Sequence, residues 1–226
     1  MTIEVLADTR SVARRGAQWI AAQASSAIAA RGRFALGVSG GTAPSVMFRE
    51  LASEDVNWDC VDIVQMDERL APAGDRDRNL TMLRESLSAA PRAIARIHPM
   101  PMANAPAEGA ARYVKVLESI GGVPPVLDVA HLGLGADGHT ASLVPGDPVL
   151  DVADADVAWT GEYQGRRRMT LTFPLLNRAR QILWVVTGVE KAPALARLLK
   201  GDPAIPAGRV RPHAALVLAD RAAAGC

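Results

Sequence analysis

Short apolar runs alternate along this chain with longer stretches in which apolar side chains return every third or fourth residue. The runs at 3–7, 34–38, 61–66, 126–132, 169–173, 182–187 and 215–218 are rich in aliphatic residues and short enough to read as buried strands. Helical spacing predicts helices over 11–31, closed by Gly32; from Pro44, which suits a first-turn position, to about 52; and over 79–89, 107–120 and 190–200. Strand and helix alternate from end to end, which predicts an α/β fold with an open, mostly parallel sheet flanked by helices on both faces. Ligands of such sheets sit beyond the carboxyl ends of the strands, so the loops leaving the strands are where chemistry is expected. The segments 99–106, 121–125 and 201–212 read as turn-rich connections, the last of them a loop or surface arm before the final strand.

Composition narrows the reading without changing it. A length of 226 residues fits a single domain over 1–226, and 49% hydrophobic with 22% charged residues is ordinary for a folded chain. The formal charge is only +1 and no long basic run occurs, so no nucleic-acid partner is expected. Cys60 and Cys226 are far apart and form no disulfide framework, and the first residues carry no basic and apolar leader. A reducing, cytoplasmic setting is the expectation. Runs such as 182–187 are too short to span a bilayer, so no membrane partner is expected either. Nothing in the sequence predicts the oligomeric state.

The first candidate loop is Gly37-Val38-Ser39-Gly40-Gly41-Thr42-Ala43-Pro44, which leaves a strand and enters a helix. Small residues there expose backbone N–H groups at a helix N-terminus, a site suited to phosphate, and the Ser39 and Thr42 hydroxyls can add donors. Two other readings stand beside it. The segment also suits a tight turn that simply needs glycine, or a G-x-S-x-G nucleophile elbow with Ser39 served by Asp137 and either His139 or His213.

The second candidate loop runs from His131 to Gly146. Gly133, Gly135 and Gly138 match the spacing of a dinucleotide-binding turn, yet Pro145-Gly146 would close the following helix after little more than one turn, so the glycines are expected to let backbone approach a small ligand. Asp137 and His139 stand two residues apart. An imidazole with an ordinary pKa of about 6.5 accepts a proton near neutrality, which makes His139 a candidate general base, with structural capping as its alternative. His98, His131 and His213 are scattered without ligand spacing, so no metal is expected and none of the three is given a role.

Four blocks carry a resemblance to a known family: Ser39-Gly40-Gly41-Thr42 with Pro44; Asp67-Glu68-Arg69 with Pro72 and Asn79; the stretch 132–146; and 168–180 followed by Gly188 and Lys191. The chain resembles the 6-phosphogluconolactonases, which are related to the glucosamine-6-phosphate deaminases, from about residue 30 to the last strand. The third block is the most specific, because Thr140-Ala141-Ser142-Leu143 follows the lactonase pattern rather than the deaminase one. Ala43, Val144 and Arg78 depart from the pattern, and Arg78 could either strengthen anion binding or face solvent.

The resemblance implies the fold shared by that deaminase, ribose-phosphate isomerase and coenzyme-A transferase. It also implies a sugar-phosphate lactone as partner, 6-phospho-D-glucono-1,5-lactone, hydrolysed in the oxidative pentose phosphate pathway without a cofactor. On this reading His139 activates water, Arg69 holds the oxyanion or the water, and Asp67 and Asp137 bind sugar hydroxyls or orient Arg69 and His139. Ser39, Gly40, Gly41, Thr42, Arg168 and Lys191 hold the phosphate. Bland alternatives are a surface ion pair of Arg69 with Glu68 or Asp67, a solvated Lys191, and a solvated patch at Arg166 and Arg167. Two rival functions are an isomerase or deaminase of amino-sugar phosphates and a sugar-phosphate sensor. The sensor would need a DNA-binding unit, for which the first strand, starting almost at Met1, is expected to leave no room.

Overall fold

A computed structural model describes residues 1–102 and 106–226. In chain order the elements are β1 (Thr2–Leu6), α1 (Thr9–Arg31), β2 (Phe34–Val38), α2 (Thr42–Leu51), β3 (Val61–Gln65), β4 (Asp67–Arg69), α3 (Asn79–Ser86), α4 (Pro91–Ala95), β5 (Ile97–His98), α5 (Pro106–Gly121) and β6 (Val129–Gly133). They continue with β7 (Val157–Tyr163), β8 (Arg166–Leu171), α6 (Phe173–Leu176), β9 (Gln181–Val186), α7 (Ala192–Leu199), β10 (Ala215–Asp220) and α8 (Arg221–Ala224). No helix among the described residues is long and apolar enough to cross a membrane.

Seven strands form one sheet in the order β1-β10-β9-β6-β2-β3-β5, and every pairing in it is parallel. Alternate side chains enter two separate cores, one on each face. Phe34, Leu36 and Val38 pack with α1, α2 and α3, while Ala35 of the same strand points to the other cluster; in β9 Leu183 and Val185 take the first face and Trp184 the second. Helices therefore cover both faces, as the sequence pattern predicts. Helix α1 illustrates how the boundaries arise: the Asp8 carboxylate accepts the Ser11 N–H at 2.7 Å, and Gly32 takes the left-handed conformation that ends the helix.

A second sheet of three antiparallel strands, β4-β8-β7, lies beside the first. The run 169–173, expected in the parallel sheet, instead ends β8 of this small sheet, and Phe173 opens α6. An apolar run reports burial but not the partner or direction of pairing. Strands β4, β5 and β7 have no such signal: the first two are three and two residues long, and β7 is interrupted by Gly161 and Glu162. In the large sheet, β2 and β6 are neighbours, although the chain runs outward from β2 through β3 to β5 before returning. That reversal opens a crevice between the loops after β2 and β6, the usual place for a ligand in such sheets.

Candidate active site

A cavity of about 510 Å³ occupies this crevice. One end is built by the loop from β2 into α2. Gly41 precedes α2 with φ of 128° and no side chain caps the helix, so its first N–H groups face the cavity mouth unclaimed by a side chain. Gly40 lies against Asn79 so closely that a Cβ would sit 2.0 Å from its Oδ1. Ser39 is buried; its N–H donates to Nδ1 of His131 at 3.3 Å and its hydroxyl donates to the His131 carbonyl at 3.1 Å. Burial pushes the His131 imidazole down to about 3, so it stays neutral beneath the loop. This arrangement does not form a nucleophile elbow: the Ser39 hydroxyl donates to the His131 carbonyl rather than to the imidazole of His139, and His213 is exposed and does not line the cavity. Lys191 closes this end from a short turn, Val189–Lys191, before α7. Its Nζ lies 4.0 Å from the exposed Glu190 carboxylate, and Asp220 fixes the turn by accepting the Gly188 N–H at 3.1 Å.

The other end is built by the loop after β6 and by the small sheet. Residues 140–144 form no helix; Thr140 and Leu143 bridge each other in a tight turn. Gly135 is required for a different neighbour than a ligand, because a Cβ there would lie 2.1 Å from His139 Nδ1 and 2.5 Å from Asp137 Oδ1. Asp137 Oδ1 accepts the His139 backbone N–H at 3.1 Å and meets His139 Nδ1 at 2.6 Å. Burial pushes the Asp137 carboxyl up, but the His139 N–H and charge, with the Tyr163 hydroxyl, bring it to a net position below the ordinary carboxylate range. With Nδ1 held by a carboxylate, Nε2 is the nitrogen left to exchange a proton in the cavity.

Arg69 and Arg168 are direct partners across β4 and β8, and both line the cavity. Arg69 forms no ion pair with Asp67 or Glu68; its guanidinium donates to the Asp77 carbonyl at 2.6 Å. Arg168 is buried, donates to Gln164 Oε1 at 3.2 Å and keeps its Nε without a partner. Burial and then the Arg69 charge hold the Arg168 guanidinium below its usual range, which marks a place where an anion would relieve two adjacent cations. Asp67 does not touch Arg69. Its two oxygens accept from Ser142 Oγ at 2.6 Å and Asn79 Nδ2 at 3.1 Å, and burial raises its carboxyl despite the Ser142 bond and the two arginine charges.

Sequence reasoning left Glu68, Ser142, Asn79 and Tyr163 without roles. Glu68, fully buried, accepts the N–H groups of Arg69, Asn79 and Leu80 and so ties β4 to α3. Arg78 neither faces solvent nor lines the cavity, because it pairs with Glu68 at 3.3 Å. Ser142 and Asn79 hold Asp67, and Tyr163 donates to Asp137 Oδ2 at 3.2 Å. Arg166 is not simply solvated: it pairs with Asp77 at 2.8 Å and Asp75 at 3.3 Å. Arg167 is exposed, with its guanidinium 5.6 Å from the Trp159 ring. Among the described residues no group of three or more His, Cys, Asp or Glu could hold a metal ion.

An open parallel sheet with a cationic crevice at its switch point and an imidazole on the crevice wall defines an α/β enzyme of small anionic substrates. Comparison with known proteins narrows the class. The family described as glucosamine-6-phosphate isomerases/6-phosphogluconolactonase matches residues 7–219. A 6-phosphogluconolactonase of Nostoc sp. is 35% identical over 233 residues, which cover 99% of this chain and 97% of that protein. The crystal structure of a 6-phosphogluconolactonase from Shewanella baltica superposes with a TM-score of 0.87 at 26% identity, covering 97% of each chain. A monomeric glucosamine-6-phosphate deaminase shares the fold at a TM-score of 0.82 and 20% identity, covering 100% of this chain and 99% of that one. The chain belongs to the glucosamine-6-phosphate isomerase/6-phosphogluconolactonase family, as an enzyme of its lactonase branch and hence a hydrolase.

Proposed function

We propose that the protein hydrolyses 6-phospho-D-glucono-1,5-lactone to 6-phospho-D-gluconate, with His139 as general base. One observation carries this reading: the His139 imidazole, held through Nδ1 by Asp137, opens onto the same cavity as Lys191 and the N-terminus of α2. Groups suited to a dianionic tail and a proton acceptor thus line one space.

A lactone carbonyl is already electrophilic, so orientation, a deprotonated water and stabilisation of the oxyanion suffice. His139 Nε2 takes a proton from water as the oxygen attacks C1. The tetrahedral oxyanion collapses, the bond from C1 to the ring oxygen breaks, and the imidazolium returns its proton to that oxygen. Asp137 keeps the imidazole oriented through Nδ1. Arg69 faces the oxyanion or the attacking water, and Arg168, Lys191 and the backbone N–H groups of Gly40, Gly41 and Thr42 take the phosphate; Ser39, expected among these ligands, has its N–H and hydroxyl taken by His131. Asp67 offers its carboxyl to a sugar hydroxyl.

Acid release from fresh 6-phosphogluconolactone, followed by pH-stat above the spontaneous rate, tests the proposal. Wild-type protein accelerates it and prefers the phosphorylated lactone to the unphosphorylated one, and His139→Ala does not accelerate it appreciably. Equal rates for the two proteins, or ammonia release from glucosamine 6-phosphate, would overturn the reading.

A further inference from the structure

The hairpin that joins β7 to β8 brings Tyr163 against His139 and Arg168, two residues that line the cavity. Gln164 and Gly165 adopt φ of 53° and 74°, the pair of left-handed residues that suits a tight hairpin between twisted strands. A register shift between Trp159 and Glu162 interrupts the pairing just before Tyr163, and such irregularities commonly re-aim a side chain beside a site. Tyr163 then makes three contacts. Its hydroxyl donates to Asp137 Oδ2 at 3.2 Å, its ring meets the His139 ring edge-on at 5.7 Å, and the Arg168 guanidinium lies 4.9 Å from its centroid.

These contacts are complementary. Asp137 Oδ1 already serves both the backbone and ring nitrogen of His139, whereas Tyr163 is what engages Oδ2. A carboxylate held at one oxygen can swivel; held at both, it fixes the ring beyond it. The phenol face meanwhile offers negative π density to a guanidinium that is buried beside Arg69. Neither contact places Tyr163 among the residues that touch reacting atoms.

We infer that Tyr163 is a positioning residue that sets the Asp137–His139 pair through its hydroxyl and seats Arg168 through its ring, so that one side chain aligns the base with the anion-binding arginine. The inference rests on the lactone-hydrolysis reading, in which His139 is the base and Arg168 an anion ligand. It extends that reading to pH dependence. The charged groups that line the cavity with His139 are Arg168 on β8, Asp67 and Arg69 on β4, and Lys191 with Glu190 after β9, and Asp137 on its own loop contacts its ring. Removing the phenolic hydroxyl leaves all of them in place. It also removes a donor from Asp137, which then bears more negative charge toward the imidazolium, so protonated His139 is favoured.

Two variants separate the hydroxyl from the ring. Tyr163→Phe should lower kcat roughly three- to tenfold and move the acidic limb of the kcat/KM profile upward by a few tenths of a pH unit, with KM and the inhibition constant of inorganic phosphate unchanged. Tyr163→Leu should add a rise of about three- to tenfold in both KM and that inhibition constant, because Arg168 loses its seat. The His139 ring-proton NMR titration, which needs no turnover, should shift with the acidic limb in Tyr163→Phe. A Phe variant with the wild-type profile and titration, or a Leu variant that binds phosphate normally, would overturn the inference. If wild-type protein releases no acid from the lactone, the hydrolytic reading fails instead, and the NMR titration and phosphate binding still decide whether Tyr163 positions these groups.

Discussion

The two ends of the cavity are made of different materials. The end toward α2 and Lys191 is largely backbone: a glycine turn, a helix N-terminus and a lysine on a short turn fixed by Asp220. The wall around His139 is made of side chains from three segments, with Asp137 and His139 after β6, Arg69 on β4 and Tyr163 on β7, and Arg168 on β8 adjoins it as a further anion ligand. A helix N-terminus needs only local peptide geometry to attract an anion, so one contiguous segment can supply it. Proton transfer requires a nitrogen aimed within a fraction of an ångström, and that demands contacts among segments remote in sequence.

The contrast breaks most visibly at the base. His139→Ala should lower kcat by roughly 10²–10⁴-fold with KM changed only a few-fold, as steady-state kinetics on the phosphorylated lactone would show. A comparable rise in KM would mean the two ends do not divide the work. Gly135→Ala attacks the same pair without removing a functional group: the new Cβ collides with Asp137 and His139. We expect kcat to fall on the order of 10²-fold while phosphate inhibition is preserved. Retained activity would show that the pair is not held where the structure places it.

At the opposite end, Lys191→Ala should raise KM roughly 10- to 100-fold and leave kcat within a few-fold, with the loss shrinking for an unphosphorylated lactone. Equal losses on both lactones would remove Lys191 from the phosphate site. The smallest effect is on stability. Burial raises the Asp67 carboxyl, so the folded state holds this proton more tightly than the unfolded chain. Stability from that preference is present below the ordinary carboxylate range and is lost as pH rises through the raised value. Asp67→Asn removes this dependence. Its melting temperature should gain on wild type by a few degrees as pH climbs from about 4 to 7, in thermal denaturation followed by circular dichroism. A constant difference across that range would contradict the burial argument.

Legibility in the sequence followed the same division. The glycine loop at 39–42 and the pair Asp137 and His139 stand out in the sequence because each is contiguous and its geometry depends on nearest neighbours, and the structure brings Gly40, Gly41, Thr42 and His139 to one cavity. Strand β7 was not, since a hairpin arm broken by Gly161 and Glu162 has no continuous apolar run, and Tyr163 went unnoticed with it. Arg78 was misjudged for a related reason: its partner Glu68 lies ten residues away and is buried only because α3 folds back onto β4.

The sequence by itself determined the alternation of strands and helices, the parallel sheet with helices on both faces, and the loops from which ligand groups project. These follow from periodicity and turn chemistry, which act over a few residues. The tertiary structure alone decided that 169–171 pairs antiparallel with β4 and β7, that Asp67 is clamped by Ser142 and Asn79, and that Tyr163 spans Asp137 and Arg168. The contacts of Ser142 with Asp67 and of Tyr163 with Asp137 join segments tens of residues apart, and their geometry is fixed by tertiary packing rather than by any local preference.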